Sequence, residues 1–184
     1  MVLDGYDRET IEGCRQGDPD AFRALFEAHK DRVYSIALRY SGDRAAAMDI
    51  AQDVFLKLFA SLGDFRGAFR GDAAFETWLY RVVVNRCLDH RRRLVRRVPF
   101  VGDLIEAGES ALQRLLRAET AESVDQAVAK LPPDQRIVVV LRYTEGRSYE
   151  EIAEILACSR GTVASRLSRA HKALERRLGH LKRS

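Results

Sequence analysis

Apolar residues recur along this chain at steps of three and four nearly from end to end, and no stretch alternates convincingly with a period of two. The spacing predicts an all-α protein. A short helix over 10–16 is broken by Gly17-Asp18-Pro19, which supplies Asp18 as the N-cap and Pro19 as the first residue of the next helix. That helix places Phe22, Leu25, Phe26, His29, Val33, Ile36, Ala37 and Tyr40 on one face. Gly42-Asp43 opens a third helix, with Ala47, Ile50, Ala51, Val54, Phe55, Leu58 and Leu62 inward and Asp49, Gln52, Asp53 and Lys57 outward. A glycine-rich loop spans 63–74. A long helix then turns Phe75, Trp78, Leu79 and Val82 inward, Trp78 as core by its register, and ends in the basic run Arg91-Arg92-Arg93.

From 94 to about 117 the periodicity weakens around Pro99, Gly102 and Gly108, as in a linker, with room for a helical turn at 111–116. Helices over 120–130 and 134–143 follow, separated by Pro132-Pro133. The last stretch is the most informative. Ser148 and Glu151 form an S-x-x-E capping box ahead of a short helix whose apolar face is Ile152, Ala153 and Leu156, and Ser159 caps a second helix. In this second helix Val163, Leu167, Ala170, Leu174, Leu178 and Leu181 make a buried stripe, leaving Ser165, Ser168, Arg169 and Lys172 opposite. Two short helices around a tight turn, the second of them basic, is the arrangement that puts side chains into a DNA major groove.

Charge sharpens this reading. The net charge of the 184 residues is only +4, but it is +6 over 81–97 and +7 over 160–184, while 1–80 carries −4 and 98–159 carries −5. Two basic blocks in an otherwise acidic chain suit two modules on one polyanion. With 46% hydrophobic residues the chain can form one medium domain or two small ones. Cys14, Cys87 and Cys158 are odd in number and far apart, with no C-x-x-C, so they suggest neither a disulfide framework nor a zinc site and read as small hydrophobes in a reducing compartment. His29 sits on an apolar face; His90, His171 and His180 are dispersed. No nucleotide, metal or nucleophile constellation emerges, so neither a cofactor nor catalysis by the chain is expected. The N-terminus lacks a basic start before an apolar run, and no run of about eighteen apolar residues occurs, so a soluble, cytoplasmic protein without membrane insertion is expected.

Five motifs together carry a family resemblance: Gly17-Asp-Pro-Asp-Ala-Phe22, the stretch from Asp49 to Phe59, the stretch from Phe75 to Asn85, Leu131-Pro-Pro-Asp-Gln-Arg136, and the helix-turn-helix from Ser148 to Leu174. In this order and at these separations the chain resembles bacterial extracytoplasmic-function sigma factors over about residues 10–178. The resemblance implies two small helical domains joined by a flexible linker. Sigma region two, 1–95, would read and melt the minus-ten element, and region four, 118–184, would dock at the minus-thirty-five element. The linker, 96–117, would run toward the RNA exit channel. The implied partners are core RNA polymerase through its clamp helices and flap, promoter DNA, and an anti-sigma factor.

Carried over residue by residue, the resemblance assigns Asp49, Gln52, Asp53 and Lys57 to the polymerase clamp. For the minus-ten element it assigns Phe69, Arg70, Asp72, Ala73, Asn85, Arg86, Arg92 and Arg93, taking the second of two Phe-Arg-Gly copies in the 63–74 loop as the matching one. For the minus-thirty-five element it assigns Arg160, Thr162, Ala164, Ser165, Arg166, Ser168, Arg169 and Lys172. Ser165, Ser168 and Arg169 are suited to base edges; Arg160, Arg166, Arg176 and Arg177 to phosphates, which position without specifying. Ala164 departs from the long polar residue common at its position and offers only an apolar contact. The competing readings are solvated helix faces, a regulator that binds duplex DNA without polymerase, and a nucleic-acid hydrolase, which would need a metal-binding carboxylate cluster.

Overall fold

A computed structural model describes residues 6–62, 72–97 and 119–178, and every element in it is helical. The helices are α1 (Tyr6–Arg15), α2 (Pro19–Ser41), α3 (Arg44–Leu62), α4 (Asp72–Arg97), α5 (Glu119–Ala129), α6 (Pro133–Val139), a π-helical turn (Val140–Thr144), α7 (Tyr149–Ile155) and α8 (Arg160–Leu178). The start signals act as the sequence predicts. Asp18 accepts from the Asp20 N–H at 2.9 Å ahead of Pro19, and Asp43 accepts from the Ala46 N–H at 2.7 Å. Ser148 and Glu151 cap each other's backbone at 3.2 and 2.7 Å, and Ser159 accepts from the Thr162 N–H at 3.1 Å. The first helix starts at Tyr6, earlier than its periodicity predicts, and α4 runs past the expected boundary at Val95 to Arg97.

Helices α2–α4 bury most of their predicted faces, with Phe22, Phe26 and Val82 only half-buried. Leu25, Val33, Ile36, Ala37, Tyr40, Ala47, Ile50, Val54, Leu58, Phe75 and Leu79 lose nearly all their surface, and His29 is buried with its ring centre 5.5 Å from that of Phe75. Trp78 is only half-buried, packed against the core with its ring centre 6.1 Å from that of Phe75. In the second unit Ile152, Ile155, Val163, Leu167 and Ala170 close the helix-turn-helix over Ile137, Val138 and Leu141. Cys14 and Cys87 lie in the core, and burial pushes their thiols up to about 11 and about 12, as expected of inert apolar side chains.

The two units pack against each other, and their buried residues form one continuous cluster from Ile11 to Ala170. The contact runs along α2 and α4 on one side and α5, the π-helical turn and α7 on the other. Gly42 shows how close the approach is. It ends α2 at φ +74° with its N–H on the Leu38 carbonyl at 2.8 Å, and a Cβ there would stand 3.3 Å from the Ala129 side chain. A side chain at this position would be strained by its backbone and crowded by the neighbouring unit. Deeper in the seam, Arg136 is 5% exposed and donates to the Tyr40 carbonyl at 2.6 Å and the Leu131 carbonyl at 3.1 Å. Burial, then the nearby Arg91, lowers its guanidinium to about 10, with Tyr40 acting in the opposite sense.

Candidate nucleic-acid interface

The buried stripe of α8 decides which of its residues face out. With Val163, Leu167 and Ala170 sealed, Ala164, Ser165, Ser168, Arg169 and Lys172 are all exposed on the open side. Arg169 is laid back along the helix, its Nε 3.3 Å from the Ser165 carbonyl and its Nη2 3.2 Å from the Ser165 hydroxyl. Ser165 in turn donates to the Thr162 carbonyl at 3.0 Å, and the Thr162 hydroxyl is 2.9 Å from that of Ser159. This surface is a row of short hydroxyls crossed by one guanidinium, with Lys172 a turn beyond Ser168.

Not every assigned arginine shares it. Arg160 is exposed at the start of α8, 3.0 Å from Glu150. Arg166 is turned to the flank, 3.6 Å from Asp134 of α6 and only 26% exposed. Arg177 lies on the same flank, exposed but donating to the Ala127 carbonyl of α5 at 3.4 Å. The other edge of α8, beside Ala164, carries a pair that sequence reasoning did not single out: the Tyr143 hydroxyl lies 2.7 Å from His171 Nε2, with both residues exposed.

On α4 the outward stripe is Arg81, Asn85, Asp89 and Arg92, at helical steps of four and three. Asn85 is exposed, Arg86 is half-buried, and Arg92 pairs with Asp89 at 3.1 Å. Arg93 reaches Asp53 of α3 at 3.6 Å, which joins the two assigned surfaces of the first unit. Phe69 and Arg70 lie outside the described residues, as do the side chains of Asp72 and Ala73.

The outward side of α3 differs from its helical wheel. Asp49, Gln52 and Lys57 are exposed there and Asp53 is half-buried, yet Met48, Leu56 and Phe59 are 65%, 60% and 65% exposed among them. With Phe22, Phe26 and Tyr34 of α2 these residues line an apolar groove of about 570 Å³, rimmed by Lys30, Asp31 and Gln52. Phe22 meets Phe59 edge-on with ring centres 5.0 Å apart, and Phe26 meets Phe55 at 4.6 Å. Apolar surface held open in this way marks a docking site. The signal in the sequence was the surplus of apolar residues in 47–59, too many for one face of one helix.

Comparison with known proteins agrees with this geometry. Residues 25–97 match the family described as sigma-70 region 2, and residues 121–174 match sigma-70, region 4. The chain belongs to the sigma-70 family, among its extracytoplasmic-function members. It is 35% identical to the RNA polymerase sigma-H factor of Pseudomonas aeruginosa, covering 100% of this chain and 99% of that one. It is 36% identical to the ECF RNA polymerase sigma-E factor of Escherichia coli, covering 94% of each. Among solved structures it is similar to CnrH in complex with the cytosolic domain of CnrY, with a TM-score of 0.68 and 26% identity over 95% of this chain and 98% of that one. It is also similar to the sigma factor RpoE in complex with the anti-sigma factor NepR from Bartonella quintana, with a TM-score of 0.62 and 25% identity over 86% and 96%. This sigma factor therefore directs core RNA polymerase to promoters, with one matched region on each of its two helical units. Among the described residues, no helix is long and apolar enough to cross a membrane.

Proposed function

We propose that the exposed row Ser165, Ser168, Arg169 and Lys172 on α8 reads the minus-thirty-five element in the major groove, while the α4 stripe from Asn85 to Arg93 meets the melted minus-ten strand. Ala164 lies beside that row as an apolar contact. Arg160 at the head of α8 is placed for a phosphate, whereas Arg166 and Arg177 hold α8 to α6 and α5. Phe69, Arg70, Asp72 and Ala73 complete the minus-ten reader, a melted base needing polar groups beside an aromatic wall. The single observation that carries this reading is the open hydroxyl and guanidinium face of α8 above a sealed stripe on a region-four match.

The apolar groove between α2 and α3, with Asp49, Gln52, Asp53 and Lys57 around it, docks the polymerase clamp helices. The chain contributes binding energy and position to initiation, and the polymerase contributes the chemistry, in the cytoplasm. An anti-sigma factor controls it, as the solved complex of its structural relative RpoE with the anti-sigma factor NepR suggests. Run-off transcription with core polymerase on a library of genomic DNA tests the whole reading. Polymerase plus this chain should start at a defined set of promoters sharing two elements, and the chain alone should bind those promoters poorly. Tight sequence-specific binding by the chain alone would instead favour a self-sufficient regulator.

A further inference from the structure

One polar pair on region four lies outside the row that reads the bases. Tyr143 belongs to the π-helical turn, where the Glu145 N–H bonds the Val140 carbonyl at 3.3 Å in place of the usual α-helical partner. Such turns recur at functional sites. Tyr143 is 62% exposed, yet its hydroxyl is held 2.7 Å from His171 Nε2 on α8, with the ring centres 5.7 Å apart. Among the described residues neither side chain makes another hydrogen bond.

The position of the pair on α8 points to its ligand. Arg160, Ala164 and His171 follow one line along the helix, because their spacings come close to whole turns, and Arg160 and His171 stand roughly 16 Å apart along the axis. This line borders the exposed row of Ser165, Ser168, Arg169 and Lys172 on the side away from Arg166 and Arg177. That far side is tied to α6 and α5, whereas this one is open. A major groove is about 12 Å wide and a helix with its side chains about 10–12 Å across, so the edges of a seated helix lie against the phosphate walls.

The chemistry of the pair fits a phosphate. A phenol and a neutral imidazole carry one donor each, and their mutual hydrogen bond uses one donor and one acceptor. If the hydroxyl donates to Nε2, the Nδ1–H remains; if the Nε2–H donates, the hydroxyl proton remains. In either tautomer one donor is left over, and the acceptor that DNA presents at a groove wall is an anionic phosphate oxygen. Glu175, exposed one turn beyond His171, repels a phosphate lying further along and so bounds the site.

We propose that Tyr143 and His171 form a phosphate-holding pair that fixes the register of α8 in the minus-thirty-five major groove, working with Arg160 from the same edge. This rests on the reading of α8 given under the proposed function. Ala164, between the two contacts, has no side chain long enough to hold the strand off.

The test is holoenzyme binding to promoter duplexes in which single phosphates of the minus-thirty-five element are replaced by uncharged methylphosphonates. For the wild type, one replacement on the strand facing this edge should weaken binding about threefold to tenfold, as expected for one hydrogen bond. Tyr143→Phe, which keeps the ring, and His171→Ala, both checked for folding by circular dichroism, should each weaken binding to the natural duplex by a similar factor. They should lose nothing more when that phosphate is replaced, and the double variant should lose no more than the weaker-binding single one. Base substitutions should cost the variants as much as they cost the wild type, since a phosphate carries no sequence information. Losses that add at every phosphate, or folded variants that bind the natural duplex as the wild type does, would overturn the proposal. So would losses that depend on the base, which would make the pair a base reader, or weaker binding to core polymerase without DNA, which would make it a polymerase contact. Arg169→Ala keeps the two readings apart. If it relaxes base preference while the pair's variants change nothing, only the phosphate pair fails; if it too changes nothing, the reading of α8 fails as well.

Discussion

Ala157 turns the chain between α7 and α8 at φ +48°, a left-handed conformation held by the Cys158 N–H on the Ala153 carbonyl at 3.0 Å. An L side chain resists that region by about 1–2 kcal/mol, and glycine returns part of the gain as chain entropy when unfolded. Ala157→Gly should therefore raise stability by about 0.5–1 kcal/mol in urea denaturation. Arg169 and Arg176 separate the two kinds of DNA contact. Arg169 rests on Ser165 and must leave it to hold a guanine through two hydrogen bonds, so Arg169→Ala should forfeit about 1–3 kcal/mol of discrimination at one upstream base pair. Arg176 is exposed, its Nε on the Lys172 carbonyl at 3.3 Å. Its replacement by alanine should weaken binding to all sequences alike and lower the salt slope by about one. Equal loss of specificity from both changes in holoenzyme binding assays would show that the recognition face is misassigned.

At the scale of elements, the start of α7 is set by Glu151, whose hydrogen bond to the Ser148 N–H, helped by Arg147, holds its carboxyl down to about 2 from 4.5. A carboxylate with a lowered folded pKa stabilises fully above its unfolded value, and that contribution drains away as pH falls from about 4.5 through about 2. Melting temperature should fall over this window more steeply for the wild type than for Glu151→Gln; parallel curves would show that the capping box does not matter to stability. The Ser148 and Glu151 signal was legible because it is local: a hydroxyl and a carboxylate three residues apart need nothing from the rest of the chain. The same holds for the breaks at Pro19 and Gly42 and for the buried stripes of α2, α3 and α8. Arg136 and Arg147 were not legible, because a helical wheel scores arginine as solvent-facing, while their partners Tyr40, Glu76 and Tyr80 lie far off in sequence. Met48, Leu56 and Phe59 were passed over for the opposite reason: the wheel sorts this helix into an apolar inward and a polar outward set, and these three are apolar and outward. On α8 the wheel gave the correct open row, but it could not show that Asp134 and the Ala127 carbonyl draw Arg166 and Arg177 to the flank.

For the whole molecule, reach is the limiting quantity. Residues 98–118 are 21 in number, and at about 3.4 Å per residue a chain of that length spans at most about 70 Å. The part of α4 from Asn85 to its end at Arg97 adds about 18 Å at 1.5 Å per residue, so the two readers can just cover elements roughly 85 Å apart. Deleting ten residues from 98–118 cuts the maximum span to about 37 Å, which no rearrangement of the helices recovers. The shortened chain should still bind core polymerase through the α2–α3 groove, since that groove is built from one unit alone. Run-off transcription from a two-element promoter should drop more than tenfold, and protection over the upstream element should vanish from a footprint. Protection that survives the deletion would mean that the two elements are not bridged by this connection.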